Sequence, residues 1–104
     1  MDKLAGPQVA AALKGVPEWS QVGEAIQRTF QFKDFIAAMK FVNAVAEAAE
    51  ADQHHPDILI RYNLVTLTLA THDAGGITEK DFALARKADG FFGKPTPAKP
   101  RKPA

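Results

Sequence analysis

The chain has 104 residues, of which 46% are hydrophobic and 24% are charged, a composition typical of one small globular domain. It contains no cysteine, which excludes a disulfide scaffold, a thiolate nucleophile and a cysteine-ligated zinc site. It has no run of about 18 apolar residues and no signal-peptide core, so we expect a cytoplasmic protein without a membrane partner.

The net charge of +1 is distributed unevenly along the chain. The last twelve residues carry four basic and no acidic side chains, so residues 1–92 carry −3. Four prolines and the absence of large apolar residues predict that residues 93–104 form a disordered, Pro/Lys-rich basic tail. Residues 1–92 are predicted to be one domain, and their mildly acidic balance argues against direct nucleic acid binding.

The first half of the predicted domain begins with a helix and two strands. A short helix is expected after Pro7, with Gly15 near its end. Strands are predicted at Glu18–Gln21 and Glu24–Phe32, where apolar and polar residues alternate, with a turn between them at Val22-Gly23.

A long helix, two more strands and a last helix follow. Apolar spacings of three and four predict a helix over Lys33–Ala51, capped by Asp34. Pro56 prevents that helix from continuing past the preceding histidines. The remaining predictions are strands at Ile58–Tyr62 and Val65–Thr71, a loop at Asp73–Gly76 and a helix from a Thr78–Asp81 capping box to Phe92.

This order of elements indicates an α+β fold with helices on one face of an antiparallel sheet. The edge strands and second face of such a sheet need protection, which favours a homo-oligomer.

The three histidines, His54, His55 and His72, fall within nineteen residues. If the third and fourth strands pair antiparallel, all three lie at one end of the sheet. Imidazoles exchange protons near neutral pH, which suits acid/base chemistry. A three-histidine metal site is an alternative, although the side chains of adjacent residues diverge in extended backbone. Chance proximity in loops is the third interpretation.

Other chemistries have less support in the sequence. Ser20 is the only serine and lacks a nucleophile-elbow motif, and Gly75-Gly76 is too short for a phosphate-binding loop. Trp19, the only tryptophan, is interpreted either as a core anchor or as a surface for stacking a flat ligand.

The chain resembles the pterin-4a-carbinolamine dehydratase family over about residues 13–92. The resemblance rests on the spacing of Glu50, His54-His55-Pro56, Tyr62, His72 and Asp81, and upstream on Trp19 and residues 30–35. It implies an α+β domain with a four-stranded antiparallel sheet and three helices, assembled as a homodimer or homotetramer. It also implies removal of water from a 4a-hydroxytetrahydropterin, which regenerates the cofactor of aromatic amino acid hydroxylases. No metal or cofactor is required.

The resemblance also implies residue roles. His54 and His72 are the expected acid/base pair, with His55 as a third essential imidazole. Pro56, Thr71 and Asp73 are expected to line the pterin pocket beside them. The supporting residues are Glu50, expected to orient a histidine, Asp81, expected to cap a helix, and Trp19. The alternative is a binding module on the same fold, acting as an assembly factor or transcriptional coactivator, in which the histidine motif is expected to erode.

Overall fold

A computed structural model describes residues 2–93 and contains three α-helices and one four-stranded antiparallel sheet within that range. The predicted α+β fold, with three helices on one face of the sheet, is confirmed. The predicted basic tail, from Lys94 onward, lies outside the described residues. In chain order the elements are α1 (Gly6–Leu13), β1 (Ser20–Val22), β2 (Ala25–Gln31), α2 (Phe35–Asp52), β3 (Asp57–Arg61), β4 (Leu64–Leu69), a short 3₁₀ helix (His72–Ala74) and α3 (Glu79–Phe92).

The sheet has the strand order β1-β2-β4-β3, so β3 is an edge strand. Along β4, Val65, Leu67 and Leu69 are fully buried, whereas the threonines between them are half-buried. This alternation places one face of the sheet against the helices, because successive side chains of a strand point to opposite faces. The core lies between that face and the apolar sides of α2 and α3.

The first hairpin turns one residue later than predicted. Val22 belongs to β1 and pairs with Ala25, which leaves Gly23 and Glu24 as a two-residue loop. Gly23 has a φ of 60°, a backbone conformation that glycine adopts without the steric cost of a Cβ atom.

The fourth strand ends two residues earlier than predicted, at Leu69 rather than Thr71. Thr71 forms an isolated bridge with Gly76, and the residues between them include the 3₁₀ helix instead of an open loop. The amide N–H groups of Ala74 and Gly75 donate to the Thr71 carbonyl oxygen, so the local turn replaces strand pairing there.

The ends of the two longer helices follow the expected capping chemistry. The Asp34 side chain accepts a hydrogen bond from the Ala37 amide at 2.9 Å and starts α2. Thr78 and Asp81 form the predicted capping box of α3. No helix within residues 2–93 combines the length and apolar character needed to cross a membrane.

Candidate active site

A cleft of about 210 Å³ lies at the end of the sheet where β3 begins and β4 ends, and His54, His55 and His72 all line it. We call it the histidine cleft. Asp57 of β3 pairs with Thr68 of β4, so the residues before β3 meet the residues after β4. Antiparallel pairing therefore brings the two separate histidine segments together.

The C-terminus of α2 delivers the first histidine to this cleft. Gln53 adopts the left-handed conformation, with φ 52° and ψ 44°, and reverses the chain. The His54 amide donates to the Ala49 carbonyl oxygen at 3.0 Å, a bond typical of a Schellman helix end. The Gln53 side chain donates to the Glu50 carbonyl oxygen at 2.7 Å, which satisfies a second open carbonyl. His54 is thereby turned inward.

His54 is held by a buried carboxylate. Its Nε2 lies 2.6 Å from Oδ1 of Asp81, and Asp81 is fully buried. An ionised carboxylate accepts hydrogen bonds only, so this contact fixes the tautomer with the proton on Nε2. Nδ1 is then the ring nitrogen left for chemistry in the cleft.

The other oxygen of Asp81 ends a chain of threonine hydroxyls. Asp81 Oδ2 accepts from the Thr78 amide at 2.9 Å and from the Thr71 hydroxyl at 2.9 Å. Since the one hydroxyl proton of Thr71 is used there, the 2.8 Å contact between Thr71 and Thr78 has Thr78 as its donor. Thr78 in turn accepts from the Lys80 amide at 3.2 Å. Both oxygens of Asp81 are therefore held by donors from the surrounding fold.

His55 points away from its neighbour and toward solvent. Its Nε2 lies 2.8 Å from Oε1 of Glu50, and both side chains are largely exposed. The hydrogen bond from His55, and then the charge of that ring, lower the pKa of Glu50 below its ordinary value of 4.5. The two adjacent histidines thus have different carboxylate partners and different exposure.

His72 and Asp73 reach the cleft from the segment that follows β4. Both belong to the 3₁₀ helix and are exposed, and both line the cleft together with Thr71. Gly75 ends this turn with a φ of 77°. The turn thereby brings His72 to the cleft that His54 also lines.

Five residues of the sequence motif lie outside the lining of the cleft. Two of them, Glu50 and Asp81, contact histidines that do line it. Trp19 is buried in the core, where its Nε1–H donates to Asp89 Oδ1 at 2.9 Å, so it has the environment of a core anchor. Tyr62 stands in the β3–β4 loop, at the far end of that hairpin, with a positive φ of 54°. Pro56 is half-buried between the histidines and β3.

The cleft is also lined by Gln53, Ala70 and Lys80, which the sequence analysis did not identify. Gln53 and Ala70 adjoin predicted site residues. Lys80 directly precedes Asp81, a predicted site residue, and this adjacency is the one feature of the sequence that points to Lys80. Within residues 2–93 no group of three or more His, Asp or Glu side chains is arranged to hold a metal ion.

Comparison with known proteins places this geometry in a family. Residues 2–91 match the family model described as pterin 4 alpha carbinolamine dehydratase. A protein of Thermomicrobium roseum named "Putative pterin-4-alpha-carbinolamine dehydratase" is 56% identical over 87 residues, which cover 84% of this chain and 94% of that protein.

Two solved structures share the fold. One is a transcriptional coactivator/pterin dehydratase from Brucella melitensis, with 40% identity, a TM-score of 0.86 and coverage of 88% of this chain and 100% of the other. The second is a pterin dehydratase-like protein identified as a RuBisCO assembly factor in the alpha-carboxysome. It has 25% identity, a TM-score of 0.64 and coverage of 74% and 92%.

Proposed function

Because this chain belongs to the pterin 4 alpha carbinolamine dehydratase family, we propose that it removes water from a 4a-hydroxytetrahydropterin and releases the quinonoid dihydropterin. The observation that carries the proposal is the meeting of three histidines at one cleft, with His54 held by a buried carboxylate. The sequence motif alone does not distinguish a catalytic arrangement from a remnant of one.

The reaction needs proton transfers at two positions of the substrate. Hydroxide is a poor leaving group, so an acid must protonate the departing 4a oxygen while a ring nitrogen supplies electron density. A base then takes a proton from the ring. Each positioned transfer is typically worth about 10²–10⁴-fold in rate. Two imidazoles that reach one cleft from separate segments of the chain suit this division of work.

His54 and His72 are the proposed acid/base pair. Asp81 holds the His54 ring through the 2.6 Å contact with Nε2 and so leaves Nδ1 as the ring nitrogen that can exchange a proton with the substrate. His72 is exposed and accepts or releases protons to solvent directly. Each turnover requires proton exchange with solvent, so that both imidazoles return to the protonation states in which they began.

His55 and Asp73 are proposed to orient the pterin. His55 is the third imidazole of the cleft and is itself positioned by Glu50. Asp73 is an exposed carboxylate at the same rim, and a carboxylate accepts hydrogen bonds from the amino and ring N–H groups of a pterin. Thr71 lines the wall between them.

Stopped-flow absorbance of a freshly generated 4a-hydroxytetrahydropterin tests this proposal. We expect the wild-type protein to accelerate dehydration and His54→Ala to lose about 10²–10⁴-fold of that acceleration. Circular dichroism of each variant checks that it is folded. No acceleration by folded wild-type protein contradicts the proposal and favours the binding-module alternative, a role of the kind named for the carboxysome relative.

We also propose that the protein assembles as a homo-oligomer through the free edge of β3. Leu59 and Ile60 on this strand are exposed at 55% and 37%. Antiparallel pairing of two copies about Leu59 sets Asp57 of one strand opposite Arg61 of the other, because the two positions are equidistant from Leu59. A homodimer built this way, or a homotetramer of two such dimers, has no exposed edge at β3.

Charge reversal at this edge tests the assembly. In Arg61→Asp the new acid faces Asp57 of the other copy at both ends of the pairing, which is expected to shift the protein toward monomer in light scattering. The double variant Asp57→Arg/Arg61→Asp restores opposite charges and is expected to restore the oligomer. Equal masses for wild type and Arg61→Asp contradict this interface.

We further propose that the protein is cytoplasmic and that its activity is linked to that of an aromatic amino acid hydroxylase, whose pterin cofactor the proposed reaction regenerates.

A further inference from the structure

A second cleft adjoins the histidine cleft, between the C-terminus of α2 and the first turns of α3. It has a volume of about 330 Å³ and is lined by Asp52, His54, Lys80, Ala83 and Lys87. We call it the lysine cleft. His54 and Lys80 line both clefts, so a ligand that passes these two side chains occupies both spaces.

The lysine cleft contains one lysine, Lys80, whose ammonium group forms no salt bridge within residues 2–93. Lys87 Nζ lies 2.7 Å from Asp52 Oδ2, so those two charges are paired. The ammonium group of Lys80 has no ion pair or hydrogen bond with any of residues 2–93. Asp81, its neighbour in sequence, is fully buried and directs its oxygens to His54, Thr71 and Thr78.

The stability of α3 does not account for a cation at this position. Lys80 lies in the first turn of α3, where the helix dipole is positive and a cation is unfavourable. The same dipole adds to the attraction that the ammonium group exerts on an anion.

The chemistry of the proposed substrate indicates which part of it reaches this charge. In a tetrahydropterin the substituent-bearing carbon C6 is separated from the reacting carbon C4a by one nitrogen. Because His54 and Lys80 line both clefts, a pterin with C4a at His54 has room for its C6 substituent in the lysine cleft when the ring is oriented with C6 toward Lys80. Building on the proposed function, we propose that the lysine cleft holds this C6 substituent and that Lys80 selects substituents ending in a carboxylate or a phosphate.

Three substrates and two lysine variants test the inference. The substrates are the 4a-hydroxy forms of 6-methyltetrahydropterin, which has a neutral substituent, of tetrahydrofolate, which ends in carboxylates, and of a tetrahydropterin phosphate monoester. For each protein we take the ratio of kcat/KM for an anionic substrate to kcat/KM for the neutral one. We expect wild type to prefer an anionic substrate and Lys80→Gln to lower the ratio by about 5- to 10-fold, as for a partly exposed charged hydrogen bond.

Two further variants test whether a change in the kcat/KM ratio is caused by the charge of the Lys80 side chain. Lys80→Arg keeps the charge and is expected to keep the preference. Lys40→Gln removes the same charge from an exposed position on α2, twelve residues before Asp52, and is expected to leave the ratio at its wild-type value. A ratio that falls in only one anionic series identifies carboxylate or phosphate as the selected group. Equal ratios in wild type and Lys80→Gln for both series overturn the inference.

Failure of the proposed reaction gives a different result. Wild-type protein that accelerates neither neutral nor anionic substrates contradicts the dehydratase. Binding of oxidised folate and of 6-methylpterin, followed by fluorescence, measures the preference without turnover. A preference for folate that Lys80→Gln reduces supports the lysine cleft even then, and tighter folate binding that is unaffected by Lys80→Gln contradicts it.

Discussion

The inner wall and the rim of the histidine cleft hold the same residue type in opposite circumstances. At the inner wall, His54 is buried and bonds to a fully buried Asp81, whose other oxygen is held by Thr71 and Thr78. At the rim, His55 is exposed and bonds to an exposed Glu50. Two consecutive histidines therefore differ in how firmly the fold fixes them.

The difference has an energetic cause. A buried charge that loses its partner costs several kcal/mol, about 3–5 in typical cases, because water cannot replace the missing contact. An exposed pair is solvated in either state and contributes about 0–1 kcal/mol. The inner wall thus contributes both to stability and to the proposed chemistry, whereas the rim can change with little effect on folding.

The largest expected effect is on the rate of dehydration when either histidine of the proposed acid/base pair is replaced. The two replacements should lower the rate similarly but differ in their effect on the free energy of unfolding. His72→Ala and His54→Ala should each lower the rate of dehydration by about 10²–10⁴-fold. The exposed His72 should change the free energy of unfolding by less than about 0.5 kcal/mol. His54→Ala should cost about 1–3 kcal/mol, because buried Asp81 loses one donor but keeps the Thr71 hydroxyl and the Thr78 amide. Stopped-flow kinetics and urea denaturation measure both quantities.

The outcome that contradicts this comparison is equal stability loss in both variants. If His72→Ala fails to fold, His72 has a structural role and the division between inner wall and rim is wrong.

The next effect compares the buried carboxylate that holds His54, Asp81, with an exposed carboxylate that lines the cleft, Asp73. Asp81→Ala should lower the free energy of unfolding by about 3–5 kcal/mol, since His54, Thr71 and Thr78 all lose their acceptor and each buried donor left unsatisfied costs about 1–3 kcal/mol. The matched variant at the rim, Asp73→Ala, should change it by less than about 0.5 kcal/mol. Thermal or urea denaturation measures the difference.

If Asp81→Ala does not fold at all, Asp81→Asn tests the same point at lower cost. It keeps the shape and one acceptor, so it should be folded and less stable than wild type. Stability equal to wild type in Asp81→Asn contradicts the role given to the carboxylate.

The smallest effect is a titration at the rim. The pKa of Glu50 is held below 4.5 by His55, so the pair contributes fully above that value and is lost as the pH falls through the lowered pKa. In His55→Ala the pKa of Glu50 should rise toward its ordinary value, as measured by carbon NMR of the carboxyl group. His72→Ala should leave it as in wild type. An unchanged pKa in His55→Ala assigns the shift to another cause.

Local chemistry accounts for most of the fold. The alternation in β4, the Asp34 cap and the Thr78–Asp81 capping box are short-range patterns, and each correctly predicts its element. The errors lie at chain reversals. The first turn moved to Gly23-Glu24 and β4 ended at Leu69, because backbone hydrogen bonds to particular carbonyl oxygens decide where a strand stops.

The sequence by itself determined that three histidines meet at one end of an antiparallel sheet, because pairing of two adjacent strands requires it. Only the tertiary structure decided which histidine is buried. Gln53 in a left-handed conformation turns His54 inward, where Asp81, 27 residues further along the chain, meets it at 2.6 Å. The tertiary structure also decided that Lys80 stands between two clefts. Such contacts depend on how α2 and α3 pack together, and no local spacing of residues encodes that packing.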